Sequence, residues 1–223
     1  MEQIPPVIDD PDDLGPTWDE LFDMIMGAIK DGVTAAEPGP VPLGEHVVLA
    51  AGVVDGSAAV IMLRRDPDDD LCLLYDTYLL SQDDAGQWRS PDASSGSAFP
   101  EWVLHRPERG ADHRQWQESE LVLMAREWAV LGGAWVTNLT VMASRRVAEV
   151  GITYGRNEFR RPVPPNGVLT VPARAGAVGQ IARFIAYDHA GAIIGAAQDQ
   201  PVDSDIQQWL NGIHPPDSVM PVQ

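Results

Sequence analysis

Apolar residues recur at helical spacing at Trp18, Leu21, Phe22, Ile25, Met26 and Ile29, and after that the period changes. A single apolar stripe predicts an amphipathic helix that lies on its own sheet. Thr17 followed three residues later by Glu20 fits a capping box, and Asp19, Glu20 and Asp23 sit where the helix dipole favours acids. Gly32 can close the far end in a left-handed conformation. From Glu45 onward the pattern is that of strands: His46 to Val54, Ala58 to Arg65, Leu71 to Leu80 and a shorter one near Trp88. The connections Asp55-Gly56, Asp66 to Asp70 and Asp83 to Gly86 are short, which suits an antiparallel meander. Ser90 to Ser97, nearly all small or polar, reads as a flexible surface loop. In Glu101 to Arg114, Trp102, Val103 and Leu104 are packing positions ahead of a solvated Arg106 to Arg114.

A second run of strand-like segments covers Leu121 to Leu131, Ala134 to Ala143, Val147 to Tyr154, Glu158 to Val163, Val168 to Val171, Ile181 to Tyr187 and Ile193 to Ala197. Turn signals fall between them close to every ten residues, the signature of a β-sandwich. The first segment also fits helical spacing through Leu121, Met124, Trp128 and Leu131. Ser204 can cap a short helix through Leu210 that Gly212 ends.

The residues Val150-Gly151-Ile152, Asn166-Gly167-Val168-Leu169 and Ile185-Ala186-Tyr187-Asp188-His189-Ala190-Gly191 lie within Ala148 to Gly195. This stretch resembles the closing half of the Ig-like modules at the C-termini of uncharacterised proteins from high-GC bacteria. An inward-facing strand ends there in an aromatic and an Asp, and a Gly-containing turn leads into a final strand. The resemblance implies an actinobacterial-type source and an Ig-like sandwich, and it brings no catalytic residue. The front half is similar in element order to NTF2-like domains, from which no site is carried over. The fold class expected is thus α+β, mainly β: an N-terminal helix packed on an antiparallel meander, followed by an Ig-like sandwich. Residues 1–16 form a disordered acidic tail, 17–115 an acidic α+β domain, 120–200 the sandwich, and 201–223 a short helix and loose tail.

Charge sharpens this division. Residues 1–120 hold 25 acids and 7 bases, whereas residues 121–200 hold 5 acids and 8 bases, so the excess behind the net charge of -18 sits in the front. Met1 to Pro16 carries acids and prolines where a secretory signal needs bases and an apolar stretch, and no run of 18 apolar residues occurs. A cytoplasmic location without membrane contact is expected.

The candidate chemistry is sparse. Asp66, Asp68 and Asp70 open like an EF-hand loop, but its sixth and twelfth places hold Leu71 and Thr77 instead of Gly and Glu, so a solvated turn is expected. His105 and His113 lack a zinc-ligand pattern, and His189 reads as a surface turn residue. Cys72, the single cysteine, is flanked by leucines and reads as a buried, inert thiol. No Gly-x-Ser-x-Gly elbow, phosphate-cradling loop or dinucleotide fingerprint occurs, so no catalytic residue, cofactor or metal is assigned.

Recognition is left as the simplest role. Arg145, Arg146, Arg156, Arg160 and Arg161 stand at the ends of one predicted hairpin, and arginine forks suit carboxylates of this chain or of a partner. Asp66, Asp68, Asp69 and Asp70 offer the opposite charge, and Trp18 an aromatic anchor. The acidic front half repels nucleic acid, so none is expected. The reading is a non-enzymatic accessory, adaptor or immunity-type factor that binds a protein. The alternatives are a structural subunit of an assembly such as a phage particle, and an NTF2-like enzyme or carrier whose front sheet would use His46, Asp76 or Tyr78. The sequence leaves the oligomeric state open.

Overall fold

A computed structural model describes residues 15–32, 41–66, 72–89, 91–99, 106, 119–131, 134–155, 157–175 and 182–198. Residues 1–14 of the expected 1–16 tail, the helix beginning at Ser204 and most of Glu101 to Arg114 lie outside these residues. The protein is mainly β, with one helix and three antiparallel sheets among the described residues. None of the described helices is long and apolar enough to cross a membrane.

Helix α1 (Trp18–Asp31) begins as its sequence dictates. Thr17 Oγ1 accepts from the Glu20 N–H, and the Glu20 carboxylate accepts the Thr17 N–H at 2.9 Å, so two orphan donors are satisfied together. Those bonds hold the Glu20 carboxyl below its ordinary range, the backbone bond most of all. Leu21, Ile25 and Ala28 turn inward, while Trp18 at the helix start is half exposed.

The front sheet is a meander of β1 (Val47–Val54), β2 (Ser57–Arg65), β3 (Leu73–Ser81) and β4 (Asp92–Phe99), in that order. The Asp55-Gly56 turn has both residues at positive φ, 46° and 71°, the twist that a two-residue hairpin requires. The expectation of a flexible loop at Ser90 to Ser97 is corrected: most of it belongs to β4, which pairs with β3 from Leu79↔Asp92 to Leu73↔Phe99. Side-chain period carried no strand signal there. The ladder comes from the backbone groups that β3 presents on its second edge. The shorter strand near Trp88 is a single bridge to Gln82.

In the rear half β5 (Leu121–Leu131), β6 (Ala134–Ala143) and β9 (Val168–Ala175) form a middle sheet in the order β5-β6-β9. β7 (Glu149–Tyr154), β8 (Asn157–Pro162), β10 (Ala182–Tyr187) and β11 (Ile193–Gln198) form a rear sheet in the order β11-β10-β7-β8. Leu121 to Leu131 is therefore strand and not helix, because it pairs with β6 along its length. The turn into β11 is built by Asp188, whose Oδ1 accepts from the Ala190 and Ala192 N–H groups, both at 2.9 Å.

Alternation of side chains along the strands stacks these elements into four layers. Leu21, Ile25 and Ala28 cover Ala58, Val60, Met62 and Leu80 on one face of the front sheet. The other face, through Leu49, Ile61, Leu63 and Leu73, packs on Val122, Met142 and Val168 of the middle sheet. The opposite side of the middle sheet, Leu139, Val141, Leu169 and Val171, meets Val150, Ile152, Phe184 and Ala186 of the rear sheet. The segments 17–115 and 120–200 thus share an apolar cluster, and the middle sheet is buried on both faces.

Candidate functional site

The predicted binding residues fall into three kinds of place. Arg145 Nε donates to the Arg106 carbonyl at 2.7 Å. Arg146 Nη1 lies 2.7 Å from Glu120 Oε1, whose carboxylate is buried and also accepts from the Ser144 hydroxyl. Arg161 Nη2 donates to the Val53 carbonyl across the front–rear boundary, and burial lowers its pKa from the ordinary arginine value. These three arginines brace the fold. Arg160 differs: it is half exposed on the outer face of the rear sheet, 3.4 Å from Glu149. Arg156, Asp68, Asp69 and Asp70 lie outside the described residues, while the Asp66 N–H donates to the Cys72 carbonyl at 3.1 Å where β2 gives way to β3.

The register around Arg160 builds a surface. Gly151 of β7 stands opposite Arg160 of β8, and Tyr187 of β10 stands opposite Ile193 of β11. A Cβ at Gly151 would lie 3.0 Å from the edge of the Tyr187 ring, so glycine lets the ring lie close across β7 where a side chain would push it outward. The ring then reaches Arg160, whose guanidinium carbon sits 3.4 Å from its centroid. Ile193, 66% exposed, extends the row, and Arg183 stands on the same face by the alternation of β10. An aromatic-arginine stack beside an exposed aliphatic side chain has the composition of a protein-binding anchor. The sequence reading missed Tyr187, Ile193 and Arg183 as a surface; the period-two outward positions of β10, Arg183, Ile185 and Tyr187, were the available signal.

Two further clusters involve titratable groups. On the helix side of the front sheet, Arg64 Nε donates to Asp76 Oδ2 at 2.9 Å, and His46 Nε2 lies 3.9 Å from the same oxygen. Tyr78 nearby is pushed up to about 12, by burial first and the Asp76 charge second. His46, Asp76 and Tyr78 therefore do converge, but the Asp76 side chain is only 4% exposed and its charge is matched by Arg64. Beside the helix end, Met26, Ile29, Lys30, Val53 and Trp88 line an open groove of about 650 Å³.

Between the front and middle sheets lies a buried carboxyl. Glu127 accepts from Thr77 Oγ1 of the front sheet at 3.3 Å and from Asn138 Nδ2 at 3.1 Å. Both donors are neutral. Burial therefore raises the Glu127 pKa, against the weaker opposing effect of these hydrogen bonds. A carboxyl raised in the fold contributes stability that is full below the unfolded value of ~4.3 and is lost as pH climbs through the higher folded value. Glu127→Gln is therefore expected to match the wild type near pH ~4 and to be the more stable of the two at pH ~7. Urea melts across that range check this, and equal stability at both ends would contradict the burial of a charged form.

Among the described residues no group of three or more His, Cys, Asp or Glu side chains could hold a metal ion. Comparison with protein-family models, curated proteins and solved structures finds no match for the chain.

Proposed function

We propose that the protein is a non-enzymatic interaction factor of a bacterial cell, of accessory, adaptor or immunity type, that binds a protein partner on the outer face of β8, β7, β10 and β11. The observation that carries this is the Arg160–Tyr187 stack flanked by exposed Ile193. In this reading β5 to β11 are an Ig-like sandwich of the kind found at the C-termini of proteins from high-GC bacteria. Support comes from seven strands in two sheets, with the first, second and fifth together and the core between the sheets. A structural subunit of a larger assembly would use the same surface. The NTF2-like alternative has the convergence of His46, Asp76 and Tyr78 in its favour, and against it the pairing of Asp76 with Arg64.

The test uses the immobilised full chain in lysate of its native cell at rising salt. A partner held through guanidiniums is expected to dissociate steeply with salt. The double variant Arg160→Glu, Arg183→Glu is expected to weaken capture by about thirtyfold, the scale of a lost anchor. Both positions are on the surface, so loss of the stack and of the Glu149 pair should cost the fold only about 1 kcal/mol and leave it folded. The reading fails if no partner is retained at any salt, or if the charge-reversed protein captures it equally well.

A further inference from the structure

Sheet edges present unpaired backbone groups, and most edges of this protein are blunted. On β1 the Leu49 and Val53 carbonyls accept from Asn166 and Arg161 side chains of the rear half. A register shift interrupts the pairing of β4 with β3. β5 carries Arg126 and Glu127 beside another shift, and β9 carries Pro172, which lacks an N–H to offer. β8 holds Glu158, Arg160, Arg161 and Pro162 among its six residues. β11, of sequence IIGAAQ, has neither a charge nor a proline and, unlike the equally uncharged β1, no backbone group bonded to a side chain among the described residues. Beyond β11 no further strand pairs with it among the described residues. Its one irregularity falls at its start, between Gly195 and Ile193, and Gly195 to Gln198 pair regularly with β10.

We infer that β11 is a self-association edge, at which a second copy of the chain pairs antiparallel about a two-fold axis to join two four-stranded rear sheets into one of eight. The charge distribution selects this occupant. Two chains of net charge -18 repel, but residues 121–200 hold 8 bases against 5 acids, so copies that meet through this region meet where the like charge is smallest. The front sheet and helix lie on the far side of the middle sheet, so pairing through β11 holds the acidic halves apart. An uncharged strand has nothing with which to select a charged one, whereas it complements itself, as an isologous contact requires. The joined sheet would also carry two Arg160–Tyr187 rows on one continuous face, although the inference does not depend on a foreign partner.

Sedimentation velocity of the full chain from about 1 to about 100 μM tests it. The expected result is a species of twice the 24.2 kDa chain mass that strengthens with added salt, because screening relieves the repulsion. This is the reverse of the salt response expected for partner capture, so either reading can fail without the other. Ala196→Lys places two ammonium groups near the two-fold axis at an exposed position, and is expected to weaken association about tenfold or more. Hydrogen exchange adds a second readout that needs no variant: Gly195 to Gln198 amides should gain protection with concentration. A 24.2 kDa species at every concentration would overturn the inference, as would Ala196→Lys chains that pair as tightly as wild type.

Discussion

Replacing Arg106 with alanine is expected to lower the stability of the whole rear half by about 3 kcal/mol, roughly a 6 to 12 °C drop in Tm for a chain of this size. The guanidinium is the common donor for two turns. Its Nη2 donates to the Ser144 carbonyl at 2.8 Å and to the Val147 carbonyl, and its Nε lies 3.2 Å from the Ala143 and Ser144 carbonyls. Nη1 reaches the Pro164 carbonyl at 3.5 Å. The β6–β7 and β8–β9 connections are thereby tied to one side chain. The aliphatic stem lies against Gly167, where φ is +80° and a Cβ would sit 2.8 Å from Arg106 Cγ. Truncation removes both the stem packing and the fork, and leaves several part-buried carbonyls to find water. Lysine offers a single nitrogen where a planar fork bridges separate carbonyls, so Arg106→Lys should recover less than half of the loss. Calorimetry of the three proteins checks this; an alanine variant that melts with the wild type would show that water replaces the fork at no cost.

The sequence made legible whatever depends on neighbours along the chain. The Thr17–Glu20 capping box, the Asp55-Gly56 turn, the Asp188 turn and the seven rear strands all follow from local chemistry, and all stand where the pattern places them. What depends on distant segments was not readable. Arg106 was expected to be solvated, yet its partners lie 37 to 58 residues away, and no spacing rule links them. β4 has no side-chain period to announce it and exists because β3 has a second edge to fill. The candidate arginines divide for the same reason. Arg160 and Arg161 are adjacent, but strand alternation sends one to the Tyr187 ring and the other to the Val53 carbonyl. Residue type identified the chemistry these groups could offer, and tertiary packing decided which of them were consumed: Arg145 by the Arg106 carbonyl, Arg146 by Glu120 and Arg161 by the front sheet.

The same packing makes Gly52 the second position of large effect. An isolated glycine within an apolar strand is a signal of close backbone approach, and Gly52 sits inside VVLAAGVV of β1. A Cβ there would lie 2.5 Å from the Thr170 carbonyl oxygen, closer still to its hydroxyl, and 3.2 Å from Pro172 Cδ. β9 cannot yield, because Val168 to Ala175 are paired with β6 along their length. Gly52→Ala must therefore lift β1 from the middle sheet. That motion pulls on the Asn166–Leu49 and Arg161–Val53 hydrogen bonds and opens the Leu49 packing. An overpacking cost of about 3 kcal/mol is expected, far more than the roughly 0.5 kcal/mol that alanine returns through lower chain entropy. Thr170 separates side-chain from backbone causes. Its buried hydroxyl has no hydrogen-bond partner among the described residues, so Thr170→Ala alone should be nearly neutral. Combined with Gly52→Ala it should recover only part of the loss, since the carbonyl contact persists. Urea melts of the four proteins decide the matter: full rescue by Thr170→Ala would assign the crowding to the hydroxyl, and a Gly52→Ala protein as stable as wild type would mean that the two sheets do not meet backbone to backbone at this point.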